Sequence, residues 1–277
     1  MGGEPPVSTG SGWRYFAVIL FVAAWMASGW LLRLGPNLYL VLGVPLTVLF
    51  QWLVRRQPIR ALWVREAPPL RLGWKGIVIA VALAVVPLAS LVGSAVKHKW
   101  GGVLHGLCSV AGAVGAAYAL RQFRREHLGP LLWCLLITLG LDAIQWSLFF
   151  GVGLVEIRPV EGGVPERVAV GVFSLLQYMA VVFAIEEVTF RMLDSHLHEA
   201  DLGRGVLSAV FISAAWGLWH MPIVPELTWG TVGVLLYVHV PYGAALSLFW
   251  RRTGNLVIPG LCHALGDAIR NAIMAGG

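Results

Sequence analysis

Two adjacent carboxylates, Glu186 and Glu187, close an otherwise apolar run from Val168 to Ile185, and Arg191 follows one turn later. An ionisable residue inside a membrane helix costs about 2.5–3.5 kcal/mol on insertion scales, so two in a row imply a task. Glu187 and Arg191 stand four apart, share a helix face and can pair. Glu186 is rotated about 100° from Glu187 and is left free. Three more sets interrupt the apolar runs that follow. Trp216 and His220 are four apart, as are His263 and Asp267. Asp267 can accept the imidazole N–H of His263 and fix its tautomer. His239 precedes Pro241 by two residues and reads either as a group supporting a site or, the preferred reading, as a partner for carbonyls freed by a proline kink. Each set alone also fits a bland role in helix packing.

Together they fit less easily. The stretch Asp194–Gly205 is polar and reads as a turn, and Glu186 and His220 are equidistant from position 203 within it. Antiparallel helices leaving that turn would carry both residues to one depth, roughly 25 Å away. A carboxylate facing an imidazole in low dielectric is a general-base arrangement. His196, His198 and Glu199 fall in the same turn and read as solvated loop residues rather than a metal site. Asp142 and Gln145 either bond a neighbouring helix or line a cavity. His105 and Cys108 share a face, with nothing else to support a metal there.

The elements that must position these residues are membrane helices. Of 277 residues, 58% are hydrophobic and 12% charged, against about 25% charged in soluble domains. Apolar runs of spanning length lie near 15–34, 37–54, 76–96, 101–120, 130–154, 168–192, 205–221, 230–250 and 255–274. The fold class is therefore an all-α, polytopic transmembrane helical bundle of about eight or nine spans. Eight applies if one early pair is re-entrant. Residues 1–14, rich in Gly, Pro and Ser, are expected to be disordered; 15–160 form N-terminal transmembrane helices and 168–274 a four-helix core. The run from Tyr15 is followed at once by further apolar runs and reads as a first span, not a signal peptide. Cys108, Cys134 and Cys262 lie in apolar runs without CxxC spacing and read as packing residues. Trp13, Trp52, Trp63, Trp74, Trp100 and Trp229 fall near helix ends, as interfacial anchors do.

The net charge of +6 is topological. Fourteen of the 20 basic residues fall on one side of the expected bundle, including Arg55, Arg56, Arg60, Arg65, Arg121, Arg124, Arg125, Arg251 and Arg252. The other six are Arg33, Lys97, Lys99, Arg158, Arg167 and Arg270. This asymmetry predicts a cytoplasmic N-terminus. Basic residues then meet anionic headgroups of the lipid bilayer, and no nucleic-acid partner is implied.

The sequence Glu186-Glu187-x-x-x-Arg191, then Trp216-x-x-x-His220, then His263-x-x-x-Asp267, resembles the CAAX protease and bacteriocin-processing (CPBP) family of intramembrane proteases, and within it the type II CAAX prenyl endopeptidases. The resemblance covers about 168–274. It implies peptide-bond hydrolysis inside a cell membrane, of bacterial inner-membrane type, on a membrane-associated protein or peptide substrate. Glu186 and His220 would activate the attacking water, and His263 and Asp267 would stabilise the oxyanion. Asp267 replaces an amide; an ionised carboxylate cannot donate, so it would orient His263 instead. Glu187 and Arg191 would hold the first motif, and Trp216 would pack beside the water. No metal is expected, with zinc on Glu186, His220 and His263 as the alternative. Two other function classes stay open: a non-enzymatic immunity or scaffold protein, and a proton-coupled transporter. The orientation is testable: a topology reporter inserted between residues 55 and 75 should read cytoplasmic, and an extracytoplasmic reading would reverse it.

Overall fold

The computed structural model describes residues 11–153, 163–198 and 205–274. The described residues form ten α-helices: α1 (Ser11–Leu31), α2 (Pro36–Leu49, extended by a wider turn over Phe50–Val54), α3 (Gly73–Val96), α4 (Trp100–Arg121), α5 (Leu128–Gly151), α6 (Gly163–Ala184), α7 (Glu186–His198), α8 (Gly205–Trp219), α9 (Trp229–Thr253) and α10 (Val257–Met274). Among the described residues there is no β-sheet, only an isolated bridge between Val64 and Asn255. Among the described residues eight segments are long and apolar enough to cross a membrane, with α6 and α7 counted as one. The expected ninth, α10, is not among them: it carries His263, Asp267, Arg270 and Asn271 along its length.

Large apolar side chains remain exposed around the outside, among them Val81, Val85, Trp133, Leu136, Phe173 and Leu207. In water such a surface would be a liability; in lipid it is the solvated one. Trp13, Trp52, Trp74, Trp100 and Trp229 are exposed, as anchors should be. Trp63 departs from that expectation: it turns inward and donates its indole N–H to the Phe183 carbonyl at 2.9 Å.

Helix α7 stands at the centre, and it corrects the sequence reading twice. The run expected as one helix over 168–192 bends at Ile185 and continues to His198. At the bend the Thr189 hydroxyl donates to the Ile185 carbonyl, a back-bond that bends helices, and shares a 2.7 Å hydrogen bond with Thr47. Asp194, Ser195, His196 and Leu197, expected in a solvated turn, are helical and buried. Glu199 lies outside the described residues. Burial of so polar a segment requires a partner for each group. Arg251 pairs with Asp194 at 2.5 Å, Trp250 donates to Ser195 at 2.8 Å, and Arg14 donates to the His196 carbonyl at 2.8 Å. That last contact, with Trp13 packed edge-on to His196, explains why the helix begins at Ser11, inside the segment expected to be disordered. Residues 1–10 lie outside the described ones.

The same contacts gather the basic ends. Arg65 donates to the carbonyls of Trp250 and Arg251, Asn255 donates to Ala119, and Tyr118 donates to Pro68. The start of α1, the segment after α2, the ends of α4, α7 and α9 and the start of α8 therefore meet at one end of the bundle. Two arginines leave the topological count. Arg191 is fully buried beside Glu187, and Arg270 pairs with Asp267 at the wall of a cavity. With Arg158 and Arg204 outside the described residues, twelve basic residues against four keep the asymmetry.

Arg251→Ala would strand Asp194 in the core and release the Gly205 carbonyl and Ser208 hydroxyl. The expected loss is about 3–5 kcal/mol, read as a lower thermal unfolding midpoint in detergent, whereas Arg252→Ala, on an exposed residue, should leave the midpoint in place.

Candidate active site

Glu186 and Glu187 open α7, where the positive end of the helix dipole favours carboxylates. Their side chains diverge, as the 100° step requires. Glu187 is fully buried, with one oxygen 3.0 Å from Arg191 Nε and the other 3.3 Å from His263 Nδ1. Arg191 is fixed further by Ser247 on α9. Glu187 therefore ties α7 to α9 through Arg191 and to α10 directly. Glu186 turns into a cavity of about 390 Å³ that His220, His263 and Asp267 also line. The four residues named from the sequence for chemistry are thus brought to one space, and Trp216 forms part of its wall.

His263 sits among three carboxylates. Its Nε2 lies 3.4 Å from Asp267 Oδ2 and 3.8 Å from Glu186 Oε2, and its Nδ1 faces Glu187. The Nε2 separations exceed normal hydrogen-bond length, so an N–H there remains available to a third group. Asp267 is occupied by Arg270, 2.7 Å away and one turn along α10.

His220 Nδ1 lies 2.9 Å from the Trp216 carbonyl. A carbonyl only accepts, so Nδ1 carries the proton, and the neutral ring presents Nε2 as an acceptor. His239 repeats this, with Nδ1 2.7 Å from the Leu235 carbonyl. The two imidazoles lie 4.3 Å apart, and Trp216 packs edge-on to His239 at 4.8 Å and to His263 at 5.0 Å.

Of the two readings of His239, the preferred one, service to carbonyls freed by Pro241, does not hold. Gln145 on α5 takes that task. Pro241 has no N–H to give to Tyr237, and the Gln145 amide donates to the Tyr237 and Val238 carbonyls at 3.3 and 3.2 Å. His239 lines the cavity instead. Asp142, also left open by the sequence, lines it too, with Trp146 and Phe149 beyond. Arg270 was missed as a site residue and read as a topological charge. The signal was present, since it stands three residues after Asp267 and seven after His263, on their helix face. Among the described residues no three His, Cys, Asp or Glu side chains are grouped to hold a metal ion.

Close approach of α8 and α9 makes the His220–His239 contact. A Cβ on Gly217 would lie 2.9 Å from the Leu235 carbonyl oxygen, and one on Gly243 2.8 Å from the Ser213 hydroxyl. Gly217→Ala should therefore force the two helices apart, cost about 1–3 kcal/mol, and lower both the thermal midpoint in detergent and any activity of the site.

A family model described as "Type II CAAX prenyl endopeptidase Rce1-like" matches residues 168–269, from α6 into α10. That segment holds Glu186, Glu187, Arg191, Trp216, His220, His239, His263 and Asp267. Helices α1–α5, with Asp142 and Gln145, lie outside it. No curated protein and no solved structure matches the chain. At the level of the family, the match supports protease-type enzymatic activity in a membrane-embedded helical fold.

Proposed function

We propose, with this family match as premise, that the chain is an intramembrane endopeptidase that hydrolyses a peptide bond near the C-terminus or membrane anchor of a membrane-associated protein or peptide. The observation that carries the reading is the convergence of Glu186 on α7, His220 at the end of α8, and His263 and Asp267 on α10, on one cavity inside a lipid-facing bundle.

Water bound between Glu186 and His220 gives a proton to the Glu186 carboxylate, while His220 Nε2 accepts its second hydrogen and aims the oxygen at the scissile carbon. The carbonyl oxygen gains the negative charge and takes the Nε2–H of His263. Glu187 and Asp267 hold that ring from two sides, and Arg270 offsets the charge of Asp267. When the C–N bond breaks, Glu186 returns the proton to the leaving nitrogen. The products are a carboxylate and an amine. Trp216 keeps one wall of the water site dry, and no step in this scheme requires a metal.

Glu186→Ala and His220→Ala should each lower the turnover of a reconstituted membrane-anchored peptide by about 10²-fold or more, with membrane insertion unchanged. Full activity in either variant would remove the mechanism. A protein stripped of metal should keep its activity; loss that zinc restores would overturn the metal-free scheme.

A further inference from the structure

The cavity is one-sided, and the side it occupies can be read from the helices that line it. The ends of the helices that meet at the Arg-rich end serve as the origin. At 1.5 Å per residue, Trp216 and His220 on α8 lie about 17–23 Å from Gly205. On α9, Tyr242, His239 and Val238 lie about 14–20 Å from Arg251. On α10, His263 to Arg270 lie about 9–20 Å from Val257. On α5, Asp142 to Phe149 lie about 21–32 Å from Leu128. Leu40, one turn into α2, and Ile223, just past α8, complete the far wall, and both belong to the opposite end. The lining therefore starts near mid-bundle and runs away from the arginines.

Toward the arginines the path is closed. Leu193, Leu197, Leu256 and Ile258 are fully buried there, and Trp250 and Met192 almost so. The Arg251–Asp194 pair and the Arg65 bonds to the end of α9 lock the same layer. A peptide reaching Glu186 from that end would have to unpack the layer. From the other end it meets Leu40, Ile223 and Phe149 at the wall of an existing cavity.

The excess of Lys and Arg assigns the closed end to the cytoplasm. We infer that the cavity receives its substrate from the non-cytoplasmic side of the membrane. This rests on the peptidase reading and narrows its substrate class to membrane-anchored proteins whose scissile segment has been translocated across the bilayer. A tail that stays in the cytoplasm is on the wrong side. The reaction that supplies the substrate is then membrane translocation, and hydrolysis releases or trims a segment already exported.

Single cysteines and a membrane-impermeant maleimide test this on the full-length chain in right-side-out and inverted membrane vesicles. Phe149→Cys reports the cavity and Glu126→Cys the Arg-rich end. Cys134 and Cys262 are buried and Cys108 half-buried, so labelling of the unaltered chain sets the baseline. Phe149→Cys should label at least 5-fold above baseline in right-side-out vesicles, and Glu126→Cys only in inverted ones. Trp146→Cys repeats the cavity reading if Phe149→Cys inserts poorly. Cavity labelling only in inverted vesicles, on the same side as Glu126→Cys, or from neither side, overturns the inference. Labelling reports access whether or not peptide is cut. Loss of the peptidase reading, through unaffected Glu186→Ala turnover, is therefore distinguishable from loss of sidedness.

Discussion

The structure depends on burying a polar helix where lipid would otherwise be. In α7 every residue from Glu187 to Leu197 is buried, and glutamate, threonine, arginine, aspartate, serine and histidine are among them. Within a bilayer no water can rescue an unpaired group. Each polar side chain thus dictates the place of another element: Thr47 of α2 for Thr189, Ser247 of α9 and His263 of α10 for the Arg191–Glu187 pair, Arg251 for Asp194. The network is specified by desolvation cost more than by attraction, since breaking a buried pair is far more expensive than making it is favourable. The geometry of the cavity follows from this. Glu186 is one step out of register with Glu187, and whatever fixes Glu187 aims Glu186 at the cavity.

Much of this was legible in the sequence, because hydropathy reports where lipid is. Spans were read within a few residues for α2, α3, α4, α8 and α9. The pairing of Glu187 with Arg191 followed from helical spacing alone. What failed had one cause. Polar residues were read as solvent-facing, yet Asp194 and Ser195 are buried because their partners, Arg251 and Trp250, come from 50 or more residues away, and the His196 ring is buried against Trp13 and Phe50. No local pattern announces such a partner. Arg270 was missed for a related reason: a charge near a helix end was assigned to topology before its helix face was compared with that of His263.

His239 illustrates the limit from the other direction. Spacing could say that Pro241 frees a carbonyl, but not which side chain would answer. The answer came from α5, almost a hundred residues earlier. Relieved of that duty, the imidazole turned inward beside His220.

The Gln145 contact also bears on inheritance. Pro241 in α9 belongs to the matched segment, whereas the amide that answers the carbonyl it leaves free belongs to a helix outside that segment. Positions 145 and 241 are therefore answerable to each other. A lineage that replaces Pro241 with an ordinary helix former loses its need for Gln145, and one that loses Gln145 first must carry a bare carbonyl until the proline goes. Selection should move the two together, so the peripheral helix and the matched core cannot be exchanged between relatives as independent modules.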